Sequence, residues 1–223
     1  VIHYASTAFR IHHWDEAPNI SIKASITDSR IENNQHGVYL GDGHPQTWTS
    51  TLDNLNMNVR NNLIQNNTGY GVTACPVTGY GSIAVTDTDI IGNQILNNGT
   101  GMVVCSASWW LGHNDIYPNI KYNTIKDSST IGIDMSAHGA SDGSGSDTDV
   151  KPVIQNNYFE NNPVHIKMHM VPYYAEGVEI LSPNIQYNSF NGGTKVFEFT
   201  QTASSGTVNP TIQNNLFYGQ SGY

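Results

Sequence analysis

Apolar and polar positions along the chain repeat with a period of about thirty residues. One phrase recurs: an apolar residue, two further residues, usually Asn, one residue, then Ile or Phe. It reads Ile26-Thr-Asp-Ser29-Arg-Ile31, Val59-Arg-Asn-Asn62-Leu-Ile64, Ile90-Ile-Gly-Asn93-Gln-Ile95 and Ile120-Lys-Tyr-Asn123-Thr-Ile125. It continues as Ile154-Gln-Asn-Asn157-Tyr-Phe159, Ile185-Gln-Tyr-Asn188-Ser-Phe190 and Ile212-Gln-Asn-Asn215-Leu-Phe217. Successive copies start 33, 31, 30, 34, 31 and 27 residues apart. Each unit is too short to bury a face alone, so the period predicts stacked units sharing one core.

Within the unit, the phrase reads as a short strand and its turn. Stacking copies about 4.8 Å apart sets Ile on Ile and turn Asn on turn Asn. The column Asn62, Asn93, Asn123, Asn157, Asn188 and Asn215, with Ser29 in the first copy, can then pass amide hydrogen bonds from coil to coil. Asn also tolerates the left-handed backbone of sharp corners. Pro118, Pro152, Pro183 and Pro210 each stand two residues before the first Ile of their copy, at a strand entrance where a missing N–H is tolerable.

A second strand follows the Asn turn: Gly37-Val-Tyr-Leu40, Gly71-Val-Thr-Ala74, Gly101-Met-Val-Val104, Gly132-Ile-Asp-Met135, His165-Ile-Lys-Met168 and, more loosely, Val196-Phe-Glu-Phe199. Phe9-Arg10-Ile11 reads as the same strand in an incomplete first coil. The predicted fold is all-β, a right-handed parallel β-helix (solenoid) of about seven to eight coils, with residues 1–223 forming a single domain of a longer chain.

The repeats Ile154-Gln-Asn-Asn157-Tyr-Phe159 and Asn34-Gln-His-Gly37-Val-Tyr-Leu40 resemble those of the right-handed parallel β-helix superfamily of pectate-lyase-like and carbohydrate-binding, sugar-hydrolysis repeat proteins. The resemblance covers nearly the whole chain. It implies the fold and a carbohydrate-directed role, but this solenoid hosts lyases, hydrolases, epimerases and binders.

Composition narrows the picture. Charged residues make up only 12% of the chain, and the polar balance comes from uncharged groups, which suits neither a helical bundle nor a coiled coil. The net charge of −9, with nine Lys and Arg in total, argues against a nucleic-acid partner. No apolar stretch of about 18 residues predicts a membrane span, and Val1-Ile2-His3-Tyr4 carries no signal pattern. A mature or excised segment, secreted or displayed at the cell surface, is the expectation. Cys75 and Cys105 fall at equivalent positions of adjacent coils, so a disulfide is feasible in an oxidising compartment; two stacked free thiols are the alternative.

Strand alternation then reads the second strand face by face. Val38, Leu40, Ile133, Met135, Ile166, Met168, Phe197 and Phe199 are among the residues expected inward. The outward residues between are Arg10, Tyr39, Thr73, Val103, Asp134, Lys167 and Glu198; two residues on, the next outward row includes Cys75, Cys105, Ser136 and His169. In a chain so poor in charge, three successive coils place Asp134, Lys167 and Glu198 on one column beside His169. A plain reading is an ion-pair ladder, Asp134–Lys167–Glu198, that neutralises itself.

The functional reading makes these four the catalytic residues of a polysaccharide-cleaving enzyme. Asp134 and Glu198, two coils apart, have backbones roughly 9.6 Å apart, near the carboxylate separation of an inverting glycosidase. Lys167 or His169 would hold one carboxylate ionised. A lyase reading makes Lys167 the base that takes a proton beside a uronate carboxyl, helped by Arg10; a non-catalytic glycan-binding or adhesive β-helix is the third reading. An ice-binding solenoid is excluded, because the outward row is too varied.

Long insertions after the second strand carry Trp48, Trp109, Trp110, Tyr173 and Tyr174, whose flat faces suit sugar rings. Tyr39, Arg10, Trp109, Trp110, His138 and Tyr173 are therefore the substrate-binding candidates, with polysaccharide the expected partner. No cofactor or metal site is predicted. The acidic stretch Asp142 to Asp149 is only faintly calcium-like and lacks the spacing of an EF-hand, and His12-His13 with Asp15-Glu16 shows no ligand geometry. Both ends of such a stack leave strand edges that a flanking domain or an oligomer contact would cover.

Overall fold

The computed structural model describes residues 1–13, 21–43, 52–78, 83–108, 113–138, 147–170, 178–201 and 206–221. Among the described residues every strand pairing is parallel, and the chain winds through three sheets in turn, a parallel β-solenoid. The first sheet runs through Thr7–His13, His36–Gly43, Tyr70–Ala74, Thr100–Ser108, Ile131–His138, Val164–Met170 and Lys195–Gln201. The second is built of three-residue strands from Arg30–Glu32 to Leu216–Tyr218. The third starts with Ser21–Thr27, Leu52–Arg60 and Ile83–Ile91.

The recurring phrase therefore spans two strands, not one. Its first apolar residue ends a strand of the third sheet, its Asn sits at the corner, and its second apolar residue lies in the second sheet. Ile120, Asn123 and Ile125 show this, in Asn119–Lys121, the turn, and Thr124–Lys126. Prolines decide a further detail. The strands of the third sheet in the coils without one, such as Ile83–Ile91, are continuous. Where Pro118, Pro152, Pro183 and Pro210 intervene, the same path breaks into pairs such as His113–Ile116 and Asn119–Lys121. A ring nitrogen with no hydrogen cannot donate to the ladder, so pairing restarts one residue later.

The corners correct one expectation. The ladder Asn is not the left-handed residue; its predecessor is. Asn61, Gly92, Tyr122, Asn156, Tyr187 and Asn214 all have φ between 55° and 70°. This frees the ladder Asn to turn its amide inward. The Asn93 backbone N–H and Nδ2 donate to Asn123 Oδ1 at 2.9 and 3.0 Å, and its Nδ2 also donates to the Val59 carbonyl at 2.8 Å. A second ladder occupies the next corner, with Asn34 N–H donating to Asn67 Oδ1 and Asn67 N–H to Asn98 Oδ1. It was legible in the doublets Asn33-Asn34, Asn66-Asn67 and Asn97-Asn98.

Inside, Ile31, Ile64, Ile95, Ile125, Phe159 and Phe190 stack in the second sheet with no exposed surface. Each such side chain contributes about 1.5–3 kcal/mol through burial. The ring centroids of Phe159 and Phe190 are 4.7 Å apart. Gly101 marks how close the first sheet lies to this stack: a Cβ there would meet the Gly132 carbonyl oxygen at 2.5 Å and Ile125 Cγ2 at 2.9 Å. The inward assignments hold for Val38, Leu40, Ile133, Met135, Ile166 and Met168, all buried. Phe199 is 52% exposed and Phe217 46%, because the last described strand of each sheet is paired on one side only.

Candidate functional site

The first sheet is the platform. Its inward residues are locked in the core, so the side chains between them must project to the outer face. Asp134 on Ile131–His138 is the register partner of Lys167 on Val164–Met170, and Lys167 is the partner of Glu198 on Lys195–Gln201. One position along, Ser136 stands opposite His169.

The expected self-neutralising ladder is not what forms. Asp134 turns to His169, whose Nδ1 lies 3.2 Å from Asp134 Oδ1. Both atoms are shut off from solvent, and the approach is not aligned as a hydrogen bond. Glu198 instead pairs with a residue of its own strand: Lys195 Nζ donates to its Oε2 at 2.6 Å. That hydrogen bond, with the charges of Lys195 and Lys167, holds the Glu198 carboxyl below the usual carboxylate range against a smaller opposing effect of burial. Lys167 makes no ion pair within 4.0 Å among the described residues. The pairs differ because a strand sets Cβ positions, while long side chains reach diagonally to the next row.

His138 closes the cluster. It lies two residues beyond Ser136 on the same face, and its Nε2 is 2.7 Å from Ser136 Oγ. Burial pushes its pKa down, helped by the nearby His169 and opposed by Asp134. Ser136 had stood only as a member of the outward row. The signal for its pairing was the Ser-Ala-His spacing on a strand, since i and i+2 share a face.

Arg10 and Tyr39 lie on the same sheet as register partners, the guanidinium carbon 5.5 Å from the centre of the tyrosine ring. Tyr39 is three strands from Asp134 and Arg10 four, about 14 and 19 Å along the stack. They extend the face rather than join the cluster. Trp48, Trp109, Trp110, Tyr173 and Tyr174 lie outside the described residues, as do Asp15, Glu16 and Asp142, and the side chains of His12 and His13. An apolar cavity lined by Ile11, Leu40, Met57 and Ala74 lies in the first coils of the solenoid, away from the charged column.

Cys75 and Cys105 are joined by a disulfide, with Cα atoms 4.4 Å apart, and Cys105 is the register partner of Ser136. Asp147 and Asp149 form a strand of the third sheet, Asp149 paired with Lys151 and Asp147 3.9 Å from His113. Among the described residues, no group of three or more His, Cys, Asp and Glu side chains is placed to hold a metal ion, and no helix is long and apolar enough to cross a membrane. Comparison with known proteins finds no matching family model, no matching curated protein and no matching solved structure.

Proposed function

We propose that the chain is an extracellular polysaccharide-cleaving enzyme, a glycoside hydrolase acting on the outer face of the first sheet, related to the pectate-lyase-like β-helix proteins that its repeats resemble. The observation that carries this reading is that Asp134 and Glu198 share one outward column but have different partners, His169 and Lys195. Glu198, kept ionised by Lys195, is suited to activate water. Asp134, with His169 Nδ1 3.2 Å away, is the proposed proton donor to the leaving glycosidic oxygen. The two strands between which the sugar would lie are about 9.6 Å apart, which side-chain reach brings into the range of an inverting pair. Lys167, between them, would hold a sugar hydroxyl or carboxylate. Arg10, Tyr39, His138 and the aromatic residues Trp109, Trp110 and Tyr173 are proposed to bind the chain of sugars. The disulfide supports a secreted or surface location. A flanking domain or second copy would cover the exposed edge at Leu216 and Phe217.

A second reading, a lyase with Lys167 as base, is favoured by the lack of an ion pair at Lys167 among the described residues. One experiment separates the readings: incubation with neutral and uronate-containing polysaccharides, followed by mass spectrometry of the products. Products heavier by water, lost in Glu198→Gln and Asp134→Asn, support the hydrolase. Unsaturated products lost in Lys167→Ala support the lyase. Binding with no product supports the adhesive reading.

A further inference from the structure

Ser136 and His138 do not belong to the carboxylate pair, yet they form a close side-chain contact of their own on this face, Oγ to Nε2 at 2.7 Å. The two lie at i and i+2 on the strand Ile131–His138, which is paired on both sides. Ser136 is only 5% exposed, and its two flanks differ in character. On one side its register partner is Cys105 of the disulfide, followed by Ala107 opposite His138; both are small and apolar. On the other side Val164–Met170 brings His169, directly opposite Ser136, and Lys167 one row away.

We propose that Ser136 and His138 are a nucleophile and general base that hydrolyse short acyl esters, such as O-acetyl groups carried on sugar hydroxyls. The apolar flank at Cys105 and Ala107 is the side on which the acyl methyl group would lie. The flank at Lys167 and His169 would face charge developing on the acyl oxygen, where preorganised donors are most effective. Neutral His138 is the competent base, and burial favours that form. The groups near it on this face are Asp134 and Ser136 on its own strand, His169 and Lys167 on one neighbour, and Ala107 and Cys105 on the other.

The steps balance without a cofactor. The Ser136 Oγ–H proton passes to His138 Nε2 as Oγ bonds to the acyl carbon. The bond from that carbon to the sugar oxygen then breaks, and the oxygen leaves with the proton from His138. Water next gives a proton to His138 as its oxygen bonds to the acyl carbon; the Oγ–acyl bond breaks and the proton returns to Oγ. The net reaction is ester plus water to carboxylic acid plus alcohol. The choice of a sugar ester rests on the polysaccharide reading; the ester chemistry itself does not.

The test uses the intact, disulfide-bonded chain with p-nitrophenyl acetate and a peracetylated monosaccharide. Neither needs a glycosidic bond cut, so failure here and failure of glycan cleavage are distinguishable. Acetate release is expected, falling at least about 1,000-fold in Ser136→Ala and in His138→Asn. A fluorophosphonate probe should label Ser136 in the native chain, located by peptide mass spectrometry, and not in His138→Asn. The labelling arm reads the native chain and so does not depend on a variant folding. Release that persists in Ser136→Ala overturns the proposal, as does absence of both release and labelling.

Discussion

Asp134 and His169 lie 3.2 Å apart across neighbouring strands, although the register partner of Asp134 is Lys167 and that of His169 is Ser136. The contact is diagonal. It leaves Lys167 clear of Asp134 and lets a second carboxylate, Glu198, be set by Lys195 on its own strand. Two acidic groups on one column thereby acquire separate environments, which is how a fold assigns different proton roles to like residues.

Lys195 is the first place to perturb this. Its hydrogen bond and charge are the main cause of the lowered pKa of Glu198. Lys195→Ala removes the stabilisation of the ionised form, so the Glu198 pKa rises. If Glu198 is the base of the cleavage reaction, the acidic limb of the pH–rate profile moves to higher pH, while activity above that limb is retained. An acidic limb that stays in place would separate Glu198 from the titration.

His165 offers a stability test in the same strand as Lys167. It is fully buried between Phe159 and Phe190, its Nδ1 near Asn162 Nδ2 and its Nε2 donating to the Gly192 carbonyl. Burial lowers its pKa, and the bond to Gly192 opposes this to a lesser degree. A lowered folded-state pKa means the unfolded chain binds the proton more readily. Stability is therefore complete above the unfolded histidine value, about 6.5, and falls as the pH drops below it. Urea unfolding between pH 8 and pH 5 should show that loss, with a shallower slope in His165→Asn; equal slopes would exclude His165 as its source.

The amide ladder makes a graded prediction. Asn123 is 1% exposed and receives two bonds from Asn93, while donating its own to Asn157 and Ile90. Asn123→Ala leaves buried donors without acceptors and should cost about 2–4 kcal/mol. Asn215, at the last corner, accepts from Asn188 but stands partly in water. Asn215→Ala should cost about half as much or less, since water can replace the lost partner. Chemical denaturation of the two variants gives the comparison directly.

The Cys75–Cys105 bridge closes a loop over a sequence separation of 30. In the chain-entropy account, its reduction should lower stability by about 3–4 kcal/mol. Because Cys105 borders Ser136, reduction should also slow the ester hydrolysis proposed above more than it slows a reaction centred on Glu198. Thermal unfolding with and without a reductant, alongside both assays, checks the two effects separately.

Much of the architecture was legible before any coordinates, because a solenoid repeats its local rules. Ile90, Ile120 and Ile154 must stack once their period matches one coil, and Asn93, Asn123 and Asn157 must follow them. Register along the outer face came with it: alternation places Asp134, Lys167 and Glu198 on one column, and the strand pairs confirm that column. The third sheet was less visible. Ile120 and Ile125 are only five residues apart, so a period-two reading cannot separate two three-residue strands from one strand with a turn.

What the sequence determined by itself, then, is whatever depends on backbone periodicity: the parallel solenoid, the inward stacks of Ile and Phe, the amide column and the outward face. Tertiary structure decided the partners on that face. Asp134 with His169, Glu198 with Lys195, Ser136 with His138 and Cys75 with Cys105 are choices among several groups within reach. Long polar side chains select among such neighbours by rotamer, burial and local charge, and none of these repeats from coil to coil.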